Sequence, residues 1–170
     1  MKTLVAGVSL LSLLLGCGAP GAETGPENRP GHETSLQDIQ EISLGQTDGF
    51  TFSTRYRYVP AEGRLTGQWS TRGPAGSRSG DGKVQLTPAQ ALHLESLLSG
   101  VQLDIPVNGA QGCINDVPTL HIEFVDTAGA SRRYRTNPEN DSCGPGIAFA
   151  AKEDVQAAFD ACRELLPPSL

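Results

Sequence analysis

The sequence predicts an α+β domain: a single antiparallel sheet of about four strands, built as two hairpins, with two helices on one face, in the order ββαββα. Three observations lead there. Two stretches, near Phe52–Tyr58 and Leu120–Val125, alternate apolar and polar residues with the period of a half-buried strand. Each is followed by turn-forming residues and a second alternating run. Two other segments, starting near Thr87 and Lys152, instead repeat apolar residues at helical spacing. Hairpins and helices with one apolar side each bury those sides most economically as a sheet with both helices on its apolar face.

The first hairpin opens the domain. Phe50, Phe52, Tyr56 and Tyr58 alternate with Thr51, Ser53, Arg55 and Arg57, and Pro60-Ala61-Glu62-Gly63 is a turn. Placing those four residues in the loop sets Tyr58 opposite Leu65, Tyr56 opposite Gly67 and Thr54 opposite Trp69. The other face then pairs Arg57 with Thr66 and Arg55 with Gln68. A slip of one residue would turn one strand inside out, so this register is the expected one. The Gly-, Ser- and Arg-rich stretch from Ser70 to Gly82 reads as a loop, with Lys83–Leu86 as a short strand after it.

Helix signals follow at once. Thr87 is an N-cap, Pro88 suits the first helical position, and Gln90 completes a Thr-x-x-Gln capping box. Leu94, Leu97, Leu98 and Val101 form its apolar stripe, and Gly100 ends it.

In the second hairpin Leu120, Ile122 and Phe124 alternate with His121, Glu123 and Val125. Asp126-Thr127-Ala128-Gly129-Ala130 suits a three-residue loop with Gly129 left-handed. Ile122 then faces Tyr134, and Glu123 faces Arg133 as a cross-strand ion pair. Carried outward, the same register sets Pro118 opposite Pro138, where each proline would end the ladder, and Cys113 opposite Cys143. A disulfide joining these two cysteines would stabilise the domain by about 3–4 kcal/mol in the chain-entropy model. The last helix runs from about Lys152 to Leu166 and stops at Pro167-Pro168. Val155, Ala158, Phe159, Cys162, Leu165 and Leu166 form its inward stripe. Cys162 is thus a core thiol, or pairs with one of the other two cysteines.

The N-terminus has a different character. Met1-Lys2-Thr3 precedes an apolar run from Leu4 to Leu15, too short for a membrane span of about 20 residues but suited to a secretory signal. Within it, Leu14-Leu15-Gly16-Cys17 resembles the lipobox of bacterial lipoproteins. That resemblance implies cleavage before Cys17, lipidation of its thiol, and attachment to a membrane outside the cytoplasm. Residue 18 is glycine; in Gram-negative members of that class an aspartate there retains the protein at the inner membrane, so in a Gram-negative cell the outer membrane is favoured. The organisation is therefore a signal peptide over 1–16, a lipidated cysteine and polar tether over 17–46, and a globular domain over 47–170. Gly, Pro and acidic residues dominate the tether, which lacks the apolar surface to offset its ordering entropy. Within it, Leu36–Ile42 suits a short helix or a lead-in strand.

Few residues carry a signature of chemistry. His32, His93 and His121 have no metal-ligand spacing, no Cys-x-x-Cys occurs, and no serine lies in a Gly-x-Ser-x-Gly elbow. No Gly-rich phosphate loop joins a strand to a helix. No metal, no cofactor and no catalytic centre are expected. The chain has a formal net charge of −6 and no basic tail, which excludes nucleic acid as a partner. Against that background Arg55, Arg57, Arg133 and Arg135 all project from the polar side of the two hairpins. They form a candidate binding face for an acidic protein or an anionic glycan.

The expected function is a lipid-anchored, non-catalytic domain of the cell envelope with a binding or structural role. A protease inhibitor is the alternative. The hairpin, helix, hairpin, helix order loosely resembles emfourin-type inhibitors over roughly residues 50–166, without a shared motif. In that reading the inhibitory segment is Ser70–Gly82 or the loop around Ile114–Val117. An envelope enzyme is the third class.

Overall fold

The computed structural model describes residues 35–48, 51–105, 118–136 and 148–169. Cys17 and the signal segment, Phe50, Cys113, Cys143, Pro138 and the Ile114–Val117 loop lie outside the described residues.

The sheet has seven strands rather than four, and it is mixed rather than wholly antiparallel. In chain order these are β1 (Ile39–Thr47), β2 (Phe52–Val59), β3 (Arg64–Gly73), β4 (Gly76–Gln85), β5 (Thr119–Asp126), β6 (Ser131–Arg135) and β7 (Ala148–Phe149). Helix α1 (Pro88–Ser99) follows β4, and α2 (Lys152–Leu165) follows β7. The spatial order is β4-β3-β2-β1-β5-β6-β7, with β6 and β7 parallel and the remaining neighbours antiparallel. The ββαββα order does not hold.

Three strands account for the difference. The first, β1, was expected to end the tether or lead into the domain. It is the central strand instead, bonded to β2 on one side and β5 on the other. Its sequence hides this role, because the side away from the helices carries Ser43 and Gly45, which are buried without being apolar. The second is β4, which takes the place of the expected Ser70–Gly82 loop. Pro74 and Ala75 turn the chain between the paired Gly73 and Gly76, and Gly76 takes φ +109°. Its glycines make room for an aromatic ring. Trp69 and Leu166 lie across Gly82, and a side-chain carbon on Gly82 would come within 3.1 Å of each. The third, β7, is a two-residue strand that pairs with β6, and its Phe149 carbonyl accepts from the Ile105 amide at 3.1 Å.

Both hairpins have the expected registers: Tyr58 pairs with Leu65 and Tyr56 with Gly67, while Ile122 pairs with Tyr134 and Glu123 with Arg133. Gly129 is left-handed at φ +84°. The Thr87 capping box forms, with the Thr87 amide donating to Gln90 Oε1 at 2.9 Å. Both helices cover the same sheet face. Tyr58 donates its hydroxyl to Glu95 of α1 at 2.6 Å, and Tyr56 meets Phe159 of α2 edge-on at 5.3 Å. Ile42, Leu44, Leu65, Leu94, Leu98, Ile122, Val155 and Cys162 complete this core. Cys162 is free and buried, and burial pushes its thiol up to about 12. The thiol is inert there. No described helix is long and apolar enough to cross a membrane.

Candidate binding face

Alternation along the strands puts the polar residues on the side opposite the helices. The registers then arrange them in rows that run across the sheet. One row reads Asp81, Gln68, Arg55, Gly45, His121 and Arg135 over β4, β3, β2, β1, β5 and β6. A second reads Lys83, Thr66, Arg57, Ser43, Glu123 and Arg133 over the same strands. A third, on the other side of the first, is made of hydroxyls: Ser79, Ser70, Ser53, Thr47 and Thr119. The face thus brings together all four arginines singled out in the sequence.

His121 sits at its centre. The missing side chain of Gly45 leaves a bare patch of central strand, and the imidazole lies across it. The ring is 6% exposed, and Nε2 has no hydrogen-bond partner among the described residues. Burial, with Arg133, Arg55 and Arg135 close by, holds its pKa down at about 4. It is a neutral imidazole at pH 7, and it keeps polar capacity that the fold does not use.

The arginines are held differently. Arg57 pairs with Glu41, whose hydrogen bond holds the guanidinium more firmly protonated. Glu123 stands opposite Arg133 and accepts a hydrogen bond from the Ser131 hydroxyl. The Arg55 guanidinium enters no ion pair or hydrogen bond among the described residues. It lines two shallow grooves. One, of about 470 Å³, runs between the first row and the hydroxyl row and is bounded by Ser53, Gln68, Trp69, Ser70, Ser79, Gly80 and Asp81. The other, of about 270 Å³, lies toward Glu41, Ser43, Arg57 and Thr66.

Reasoning from sequence found the arginines but missed the centre of the face. His121 alternates with the apolar residues of its strand, and it is nonetheless buried. Gly45 carries no chemistry of its own, and it matters only once β1 is placed beside β5. The hydroxyl row likewise needs the β3–β4 pairing to exist. A signal was available in β1, where Ser43, Gly45 and Thr47 alternate with Ile42 and Leu44. Among the described residues no group of three or more histidine, cysteine or acidic side chains is gathered to hold a metal. His93 is exposed on α1. No protein-family model, curated protein or solved structure matches this chain.

Proposed function

We propose that this chain is a lipid-anchored, non-catalytic binding module of the cell envelope, held through Cys17 outside the cytoplasm, and that the open sheet face holds an anionic partner. One observation carries the binding role: Arg55, Arg133 and Arg135 gather around a neutral histidine, with Arg57 one row away, in a chain of net charge −6. Positive charge concentrated on one face of an acidic molecule steers and orients an anion. The unpartnered His121 nitrogen faces cations rather than a nucleophile, which favours binding over acid–base chemistry. An inhibitory loop at Ser70–Gly82 has no support, because that stretch lies in two paired strands and their tight turn. The anchor rests on the lipobox-like Leu14-Leu15-Gly16-Cys17 and the Gly18 beside it, which favours the outer membrane of a Gram-negative cell.

Carboxylate-bearing beads test the face. At pH 7 and low salt the full chain in detergent should be retained despite its net negative charge, and should elute as salt shortens the Debye length from about 10 Å at 0.1 M. Reversing Arg55, Arg57, Arg133 and Arg135 to glutamate should abolish retention and leave the fold intact. Equal retention of both proteins, or of neither, would reject the face. For the anchor, Cys17→Ser should move the protein out of the detergent phase on partitioning; unchanged partitioning would reject lipidation.

A further inference from the structure

We infer that the anionic partner is an acidic polysaccharide, and that it lies across the strands in the groove between Arg55 and the hydroxyl row. This deepens the proposed function and rests on it. Three features of the face select a glycan over a protein.

The first is what the face lacks. A protein interface draws most of its energy from buried aromatic or aliphatic anchors. Among the described residues the exposed large hydrophobic side chain is Leu92, and it lies on α1, on the helix side of the sheet. The groove between the rows offers hydroxyl, amide, carboxylate and guanidinium groups, with the Trp69 ring turned into the covered side.

The second is what the groove supplies. Ser53, Ser70 and Ser79 both donate and accept, Gln68 does both through separate atoms, and Asp81 accepts. Such a set suits sugar hydroxyls, which themselves donate and accept. Asp81 takes sugar hydroxyls as donors, which the carboxylate side chains of an acidic peptide do not offer. Arg55, at the other side of the groove, takes a carboxylate with two parallel hydrogen bonds.

The third is spacing. Neighbouring strands lie about 4.8 Å apart, close to the length of one pyranose ring. A chain following the rows meets Asp81 and Ser79 on β4, then Gln68 and Ser70 on β3, then Arg55 and Ser53 on β2. The acidic sugar falls on β2, where the uncommitted guanidinium stands. With Trp69 only 4% exposed and its ring turned away, the described groove offers sugar ring faces little to stack on, so a neutral glycan has mainly hydrogen bonds and binds weakly.

The test compares three probes on the full chain in detergent micelles: polygalacturonate, poly-glutamate and neutral dextran. Polygalacturonate should bind at least about tenfold tighter than poly-glutamate, and dextran should not bind measurably. The triple variant Ser53→Ala, Ser70→Ala, Ser79→Ala keeps every charge. It should weaken polygalacturonate by about tenfold or more, about 1.4 kcal/mol, and leave poly-glutamate unchanged. Arg55→Lys should weaken polygalacturonate while its unfolding midpoint matches that of the parent, because a point charge replaces the two-pronged contact. Equal binding of polygalacturonate and poly-glutamate would overturn the glycan and leave the arginine face standing. Equal losses of both probes in the serine variant would do the same. Binding of neither probe by a folded protein would overturn both readings.

Discussion

The two faces of the sheet use the same packing device and finish it differently. On the covered face Trp69 lies over glycines, 4% exposed, and its indole N–H donates to the Ser169 carbonyl at 2.7 Å. On the open face His121 lies over Gly45, equally buried, and Nε2 has no partner among the described residues. In both places glycine on one strand receives a ring from another residue, because a flat ring fits a patch of bare backbone that two side chains would crowd. The difference lies in what closes over the ring. The Pro167–Ser169 segment supplies the acceptor for Trp69, whereas the arginines around His121 act on it through charge and none bonds its Nε2. Buried polar atoms in folded proteins nearly always find partners. The covered face is complete within the chain, and the open face is left with charge and hydrogen-bonding capacity for something outside it.

The largest expected effect tests that division directly. Phe159 is 1% exposed and meets Tyr56 edge-on, so Phe159→Ala should cost about 3–5 kcal/mol in denaturant unfolding. Arg55→Gln on the open face should stay within about 0.5 kcal/mol. Comparable losses would mean that the open face is structural after all.

Acid titration comes next. The His121 pKa of about 4 lies below the histidine reference near 6.5, so between these values the unfolded chain binds a proton that the folded chain does not. Stability is therefore full above about 6.5 and falls as pH drops toward 4, by on the order of 3 kcal/mol from this group. Arg133, Arg55 and Arg135 face the ring, with Glu123 two residues along the same strand. Measured at pH 7 and pH 4.5, the stability difference between the parent and His121→Gln should change by most of that amount in favour of the variant. A pH-independent difference would show that His121 is not held neutral by its surroundings.

Residue pattern made some parts of this molecule legible and left others hidden, for a physical reason. Alternation revealed β2, β3, β5 and β6, because each carries large apolar residues toward the helices: Tyr56 and Tyr58, Leu65 and Trp69, Ile122 and Phe124, Tyr134. Turn chemistry then set both registers through Gly63 and Gly129. Pattern failed where burial is achieved without apolar side chains. Gly45 is buried by His121, and Gly80 and Gly82 are partly covered by Trp69 and Leu166, so β1 and β4 read as tether and loop. The candidate site suffered in the same way. Its arginines were visible strand by strand, whereas the rows that join the two hairpins run through β1, whose partner β5 lies far away in sequence.

Overpacking the glycines compares the two faces at closer range. A methyl group at Gly45 would overlap the His121 ring on the central strand, so Gly45→Ala should cost about 2 kcal/mol. His121→Ala in the same chain should return part of the loss, and the pair should be clearly non-additive. Gly80→Ala presses on Trp69 and, at 2.7 Å, on the Ser169 carbonyl, which belongs to neither helix nor strand. That segment shifts more readily than a central strand, so about 1 kcal/mol is expected. Additive behaviour of Gly45→Ala and His121→Ala would disprove the ring-on-glycine contact.

The smallest expected effect on stability sharpens the comparison most. Arg57 and Glu41 form an ion pair across β1 and β2, with the arginine side chain 55% exposed. Exposed pairs of this kind contribute about 0.2–1 kcal/mol, so a double-mutant cycle between Arg57→Ala and Glu41→Ala should couple by less than about 1 kcal/mol. The same substitutions should have opposite effects on retention by carboxylate beads. Arg57→Ala removes a cation from the face, whereas Glu41→Ala frees Arg57 for the partner and should raise retention above that of the parent. A strong coupling in stability with no effect on retention would make the pair a brace for the sheet. Weak coupling with opposite shifts in retention would make Glu41 an internal competitor, holding Arg57 in place until an external anion displaces it.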